Sequence, residues 1–377
     1  MVAGAGTSEE EKSDQDSAAA VSWSALAEDG PRRWNQGSTR MSEKLVVLCT
    51  PFGDGWHWII EETAAPDVRW KYFSDAHRHF WQRYLRRPNF NTLIAGMRAV
   101  LYAKRNNARL LVTIGPRLGF WCGLFSWVFG SKVDHFSFSF NFAELPKGWK
   151  RKIFSFGFRQ LTGLRVHSQM EKTLYRDYFG IDEERIEVRL WSMNIPEVSP
   201  DPPVLSEPYV SAVGGNARDY ETLLGAARLL RGVLMVWVVR PENVAGLDLP
   251  PHVQVLSNIP YPRAMNVVAN SRLTVVPLRD SQVPCGHVTL VSGMLLKRPI
   301  VATDSAGISD YLTDGWNGLL CKPRNPADMA EKISALWESP ETARRLGENG
   351  FRFASEHCSE KTVRDDLSAI LESYGLR

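Results

Sequence analysis

The sequence predicts an α/β fold with two Rossmann-like, doubly wound domains and a cleft between them. Short apolar runs alternate with helical segments along most of the 377 residues, and repeated β-α units favour a parallel sheet. The alternation is interrupted at residues 196–208, which contain five prolines. Such a composition is typical of a linker, and two domains also suit a chain of this length.

The first domain is predicted to span residues 41–195. Its strands are expected at LVVLCT (45–50), RLLVTIG (109–115), KVDHFSFSFN (132–141), LRVHSQ (164–169) and RIEVRL (185–190). Its helices are expected around 76–86 and 91–106 in a basic, aromatic stretch (69–105), at 118–130, and at 170–180, where Gly180 ends the helix. The apolar segment 118–130 is too short to cross a bilayer, which takes about 20 residues.

The second domain is predicted over residues 209–355. Its strands are expected at YVSAVGG (209–215), VLMVWVV (233–239), HVQVLS (252–257), LTVVPL (273–278) and PIVAT (299–303). Its helices are expected at YETLLGAARLL (220–230), AMNVVANS (264–271) and HVTLVSGMLL (287–296), with a final helical region from 326 to 375. Residues 1–40 are rich in Ser, Ala, Gly and acids and show no apolar periodicity, so we expect them to be disordered.

The net charge of +3 conceals an uneven distribution. Residues 41–195 hold 23 basic and 14 acidic residues, whereas 196–377 hold 18 and 21 and 1–40 hold 4 and 7. A basic first domain indicates an anionic surface or ligand. The five cysteines, Cys49, Cys122, Cys285, Cys321 and Cys358, form no CxxC pair, which argues against a disulfide framework or zinc site and favours a reducing compartment. No N-terminal signal peptide is recognised.

The clearest candidate site follows the strand at 273–278. Gly286 lets the backbone approach a ligand, and a helix beginning near His287 directs its free N–H groups to the same place, which suits a diphosphate. Thr289, in the first turn, adds a hydroxyl. The alternative is an ordinary β-α turn with a buried helix.

The tract PIVATDSAGISDYLTDGWNGLLCKP (299–323) resembles the family-four pattern (glycosyl transferases group 1) of glycosyltransferases with the GT-B fold. The resemblance extends over roughly 209–350 and is weaker over 41–195. It implies that the second domain binds a nucleotide sugar facing the cleft, that no metal or other cofactor is needed, and that a C-terminal helix (356–377) packs back towards the first domain. Retaining members carry two glutamates where this sequence has Pro284 and Ser292, so an inverting reaction is slightly favoured.

A second candidate site is VGGNARDYETLL (213–224), where Gly214 and Gly215 follow a strand. The resemblance implies that the basic residue before the next helix, Arg218, neutralises the donor diphosphate. A guanidinium suits phosphate because it forms two parallel hydrogen bonds. The alternative is a surface arginine beside an ordinary helix cap at Asp219.

A third candidate is TPFGDGWHW (50–58). An inverting transferase needs a general base to take the proton of the acceptor hydroxyl. Asp54 is the first candidate for that base and His57 the second. The alternative for each is a polar turn residue.

The resemblance also implies contacts to the base near Arg240 and around Asn258 and Ile259, and Ser292 is a candidate partner for a ribose hydroxyl. UDP and GDP stay equally possible. The predicted function is transfer of a sugar from a nucleotide sugar to a lipid-linked or polysaccharide-precursor acceptor at the cytoplasmic membrane face. The predicted partners are the donor, the acceptor and an anionic membrane, without nucleic acid, and the predicted location is cytoplasmic with peripheral membrane association. The alternatives are a sugar-nucleotide epimerase of the same fold and a non-catalytic partner protein.

Overall fold

The computed structural model describes residues 44–51, 68–76, 89–279 and 283–376. Within them the chain forms two parallel six-stranded sheets, which confirms the predicted α/β class. The strands of the first sheet are β1 Lys44–Thr50, β2 Val68–Ser74, β3 Leu110–Ile114, β4 Asp134–Phe138, β5 Gly163–Val166 and β6 Ile186–Val188. The strands of the second are β7 Tyr209–Val213, β8 Leu234–Val238, β9 Val253–Leu256, β10 Leu273–Val276, β11 Ile300–Thr303 and β12 Leu319–Cys321.

Helices connect most of the successive strands and cover the sheets. In the first half they are α1 Asn89–Arg105, α2 Pro116–Phe129, α3 Trp149–Phe158 and α4 Gln169–Phe179. In the second half they are α5 Tyr220–Leu229, α6 Pro241–Val244, α7 Tyr261–Ala269, α8 His287–Leu295, α9 Pro326–Glu338, α10 Pro340–His357 and α11 Glu360–Ser373. No helix in the described ranges is both long and apolar enough to cross a membrane.

The strand order places a topological switch point at the first strand of each half. The orders are β2-β1-β3-β4-β5-β6 and β12-β11-β10-β7-β8-β9. Both neighbours of β1 and both neighbours of β7 are parallel to it. Doubly wound sheets bind ligands outside the carboxyl ends of the strands at such a point. The turns after β1, β7 and β10 are therefore the places where this topology favours a ligand.

Strand β2 lies where the sequence indicated only a basic, aromatic stretch. Its seven residues, VRWKYFS, pair in parallel with β1. Val68, Trp70 and Tyr72 alternate along the strand and pack into one apolar cluster with Val46 and Leu48. Aromatic and β-branched residues at period two suit a pleated surface. The helix expected at 76–86 lies outside the described residues, except for residue 76.

Helix α11 packs against the first sheet, although it ends the chain. Leu367, Ile370 and Leu371 are buried in the same cluster as β1 and β3. Asp366, on the same helix, accepts from Arg165 Nε at 2.7 Å and from Arg189 Nε at 3.0 Å. The end of the chain thus covers one face of the sheet at the beginning of the chain.

Candidate functional site

The turn after β7 is built around an arginine side chain. Gly214 has a φ of +123°, and a Cβ placed there would lie 2.8 Å from Arg218 Nη2. A Cβ on Gly215 would lie 2.8 Å from Arg240 Cγ. A side chain at either position would displace an arginine that folds back over the turn.

Arg218 is buried without an acidic partner among the described residues. It is 5% exposed. Its Nη1 donates to Asn216 O and its Nη2 to Thr289 Oγ1, both at 2.9 Å, whereas its buried Nε has no hydrogen-bond partner. Burial lowers the pKa of Arg218, but a guanidinium stays protonated in proteins. A buried, unpaired cation is costly, so this place favours an anion.

Thr289 holds the arginine in place. Its hydroxyl accepts from Arg218 and donates its proton to Val213 O at 3.3 Å. The sequence had assigned this hydroxyl to the ligand as a donor. The proton of this hydroxyl is thus already directed to a carbonyl, and Thr289 positions the guanidinium of Arg218.

Helix α8 begins next to Arg218 with an uncapped N-terminus. Gly286 precedes it with a φ of +103°, and no side chain caps the first turn. His287 donates through Nε2 to Gly307 O at 3.0 Å and stacks on Tyr311, with ring centroids 4.7 Å apart. Burial lowers the pKa of His287 to about 4, so this imidazole is neutral at pH 7 and adds no charge to the site.

A small, open cavity of about 50 Å³ lies beside these groups. It is lined by Met170, Leu278, Arg279, Pro284, Cys285, Ser305, Ala306 and Gly307. Met170 belongs to the first half of the chain and the other residues to the second, so the cavity lies between them. No carboxylate is among these described lining residues. Pro284 packs against Gly307, whose added Cβ would lie 2.2 Å from Pro284 Cβ.

A buried polar network that the sequence analysis missed lies near this cavity and includes a contact between the two halves. Glu171 is fully buried and accepts from the backbone N–H of His167 at 2.7 Å and from Tyr175 Oη at 3.2 Å. Desolvation by burial raises the pKa of Glu171 to about 7. Tyr311 Oη, from the second half, donates to His167 O at 2.7 Å. The spacing SQME (168–171) is typical of a helix cap, and Ser168 does cap α4; the contact between the halves is tertiary.

His167 and His135 are neutral buried histidines. Desolvation lowers their pKa values to about 4 and about 3, respectively. His167 Nδ1 bonds to Arg189 O at 3.0 Å, and His135 Nε2 bonds to Thr113 Oγ1 at 2.9 Å within the sheet. His135 is thus a core residue.

The candidate nucleotide contacts are dispersed. Arg240 lies against Gly215, near Arg218. Asn258 is exposed with a φ of +56° after β9, and Ile259 packs on a small apolar cluster. Ser292 is fully buried and bonds to Tyr261 Oη at 3.0 Å and Met193 Sδ at 3.5 Å, so its hydroxyl is not open to a ribose as the sequence suggested. Asp54 and His57 lie outside the described residues.

Comparisons with known proteins agree with this architecture. Residues 242–353 match the family of glycosyl transferases group 1. An uncharacterized glycosyltransferase of Methanocaldococcus jannaschii is 32% identical over 122 residues, which is 32% of this chain and 34% of that protein. The alpha-D-kanosaminyltransferase of Streptomyces kanamyceticus is 26% identical over 169 residues, which is 45% of this chain and 38% of that enzyme. The matched segments thus span about a third of the relatives' own length.

Solved structures match over nearly the whole chain. A glycosyltransferase from Rickettsia africae has a TM-score of 0.64 at 14% identity and covers 89% of this chain and 99% of that one. The Anabaena protein HepE in complex with UDP has a TM-score of 0.63 at 15% identity and covers 88% and 100%. The fold is therefore the GT-B fold that the sequence resemblance implied.

Proposed function

We propose that the protein is a glycosyltransferase that moves a sugar from a nucleoside diphosphate to an acceptor hydroxyl. Arg218 carries the proposal. Its buried guanidinium lies at the switch point of the second sheet, next to the uncapped N-terminus of α8. No carboxylate among the described residues pairs with it. Two sources of positive potential that lie next to each other, beside the cavity, suit a diphosphate.

In the proposed reaction, the acceptor oxygen attacks the anomeric carbon while the bond from that carbon to the phosphate oxygen breaks. The leaving nucleoside diphosphate takes the electron pair of the broken bond. Arg218 and the N–H groups at Gly286 and His287 stabilise the charge that develops on it. A general base receives the acceptor proton, and Asp54 and His57 stay the predicted candidates. The proposal assigns no step to a metal ion.

The nature of the cavity supports an inverting reaction. Pro284 lies where retaining relatives have a glutamate. None of the described residues that line the cavity carries a carboxylate. The same observation is what supports the second candidate, a non-catalytic partner protein with a GT-B fold. An epimerase has less support because its chemistry usually calls for several carboxylates and histidines in the cleft.

UDP is the first donor nucleotide to test because HepE, a structural relative, was solved with UDP; GDP is its comparison. A lipid-linked or polysaccharide-precursor acceptor at the cytoplasmic membrane face completes the proposal. Its support is the basic character of residues 41–195.

The test is calorimetric binding of UDP and GDP, followed by transfer assays with UDP- and GDP-sugars. We expect Arg218→Ala to weaken nucleotide binding at least tenfold and to reduce turnover, since a charge-assisted hydrogen bond is worth about 1.5–3 kcal/mol. Arg344→Ala is a matched control because that arginine is exposed and pairs with Glu348 on α10. Nucleotide binding that is equal in wild type and Arg218→Ala would refute the site, and binding without transfer or hydrolysis would favour the non-catalytic protein.

A further inference from the structure

Helix α3 carries an apolar face towards solvent. Trp149 is 69% exposed and Ile153 is 43% exposed. Together with Phe156 they occupy positions four and three residues apart, which places them on one side of the helix. Large side chains exposed together on one face are uncommon on a soluble surface and mark an interaction site.

The face continues onto the end of α2. Trp127 and Val128 are 59% and 53% exposed. The ring of Trp127 meets that of Phe156 edge-on, with centroids 5.1 Å apart. The five residues Trp127, Val128, Trp149, Ile153 and Phe156 are called the aromatic face below.

Unpaired lysines surround the aromatic face. Lys147, Lys150 and Lys152 are exposed, and within the described part of the chain none of them belongs to an ion pair. Arg151 differs, because its guanidinium lies 4.1 Å from the ring centroid of Tyr178 and donates to Tyr178 O. Helix α3 contains no acidic residue. The surface is therefore apolar at its centre and positive at its rim.

This composition fits the interface of an anionic lipid bilayer. Tryptophan and aliphatic side chains enter the boundary between headgroups and acyl chains, while lysines meet the phosphates. Ile153 and Val128 offer nothing to the sugar-phosphate backbone of a nucleic acid. An acidic protein partner would satisfy the lysines and leave the apolar centre to be explained.

The orientation of α3 places one end of this face at the same edge of the first sheet as the cavity. In a parallel sheet each connecting helix begins at the carboxyl edge of the strands, so the Trp149 end of α3 lies at the edge where β4 ends. Met170, which lines the cavity, follows β5 at that same edge. The Trp149 end of the aromatic face thus lies at the same edge of the first sheet as Met170, whereas Trp127 and Phe156 lie towards the opposite edge.

We propose that the aromatic face, with Lys147, Lys150 and Lys152, docks the protein on anionic membranes. The docking rests on the proposed function in one respect, since its purpose is to bring the cavity to a lipid-linked acceptor. Two forces hold this surface to the lipid, namely apolar insertion and attraction between charges.

The test is co-sedimentation of the full chain with vesicles of phosphatidylcholine alone or mixed with phosphatidylglycerol, at low and high salt. We expect wild type to bind the mixed vesicles at low salt and to lose affinity as salt rises. Trp149→Ser with Ile153→Ser should weaken binding at least tenfold. Lys150→Gln and Lys152→Gln should each weaken it about fivefold, which corresponds to about 1 kcal/mol per basic residue near such a surface. Leu229→Ser is the matched control, because Leu229 is 61% exposed on α5, and it should leave binding unchanged.

UDP affinity, measured on the same samples, separates the two proposals. All variants should bind UDP like wild type; vesicle binding without any UDP binding would refute the proposed function and leave the docking surface standing. The docking proposal fails if wild type ignores mixed vesicles at low salt, or if the Trp149 and Ile153 variant binds them like wild type. The proposal also fails if the aromatic face joins two copies of the chain instead. The wild type would then be a dimer, and the Trp149 and Ile153 variant would be a monomer.

Discussion

Replacement of Arg218 by methionine separates the contribution of this residue to ligand binding from its contribution to folding. The side chain is 5% exposed, and two hydrogen bonds, to Asn216 O and Thr289 Oγ1, are lost. Their loss costs about 3–6 kcal/mol in total, because a hydrogen bond of a charged group is worth about 1.5–3 kcal/mol. Removing a buried cation that has no acidic partner among the described residues offsets this cost. The free energy of unfolding without ligand should therefore change by less than about 2 kcal/mol.

Ligand binding by Arg218→Met should change much more. A lost charge-assisted hydrogen bond of about 1.5–3 kcal/mol weakens UDP binding by about 10- to 150-fold. At a UDP concentration 100 times the wild-type Kd, wild type gains about 2.7 kcal/mol of stability from the ligand. A variant with 100-fold weaker binding gains roughly 0.4 kcal/mol at that same concentration.

The assay is denaturant unfolding with and without UDP, together with calorimetric measurement of Kd. Arg344→Met serves as the control and should resemble wild type in both measurements, since that side chain is exposed. The reasoning is refuted if Arg218→Met binds UDP as tightly as wild type. It is also refuted if the variant without ligand loses more than about 4 kcal/mol, because Arg218 would then be a structural residue.

Three further perturbations test the surroundings. Asp366→Ala should lower the free energy of unfolding by about 2 kcal/mol, because the buried guanidinium of Arg165 loses its 2.7 Å partner and keeps Glu187, a half-exposed carboxylate at 3.5 Å; urea unfolding measures this, and a loss below about 1 kcal/mol would contradict it. Gly214→Ala should weaken UDP binding about tenfold, because a Cβ at a φ of +123° is strained and displaces Arg218; unchanged affinity in calorimetry would exclude that coupling. Glu171 has its pKa raised to about 7 from an ordinary 4.5, so folding favours its protonated form, and this contribution is present below about pH 4.5 and lost as the pH rises through 7. The stability of wild type minus that of Glu171→Gln should therefore fall by roughly 3 kcal/mol between pH 4.5 and 8 in urea unfolding, and a flat difference would show that the carboxyl is not desolvated as the structure indicates.

Membrane association and nucleotide binding are independent properties in this scheme. Helix α3 lies in the first half of the chain, and Arg218 lies in the turn after β7 in the second. Substitutions on α3 should leave UDP binding unchanged, and substitutions of Arg218 should leave vesicle binding unchanged. Each proposal can therefore fail alone.

The sequence determined the alternating strands and helices because each buried strand of a parallel sheet reads as a short apolar run. It missed β2, where Arg69 and Lys71 alternate with Trp70 and Tyr72, since basic residues on one side of a strand concealed the apolar side. Local patterns also located the turn at 214–218 and the start of α8, because glycine and helix-capping preferences act over a few residues.

Only the tertiary structure decided what those local features do together. Arg218 and Thr289 are 71 residues apart in the chain, and their hydrogen bond makes one a candidate ligand for phosphate and the other its support. Burial placed Ser292 inside the core and raised the pKa of Glu171, and no local pattern encodes either outcome. The physical reason is that solvent exposure and the pairing of distant polar groups depend on how the sheets and helices pack, whereas the period of the apolar residues is written along the chain itself.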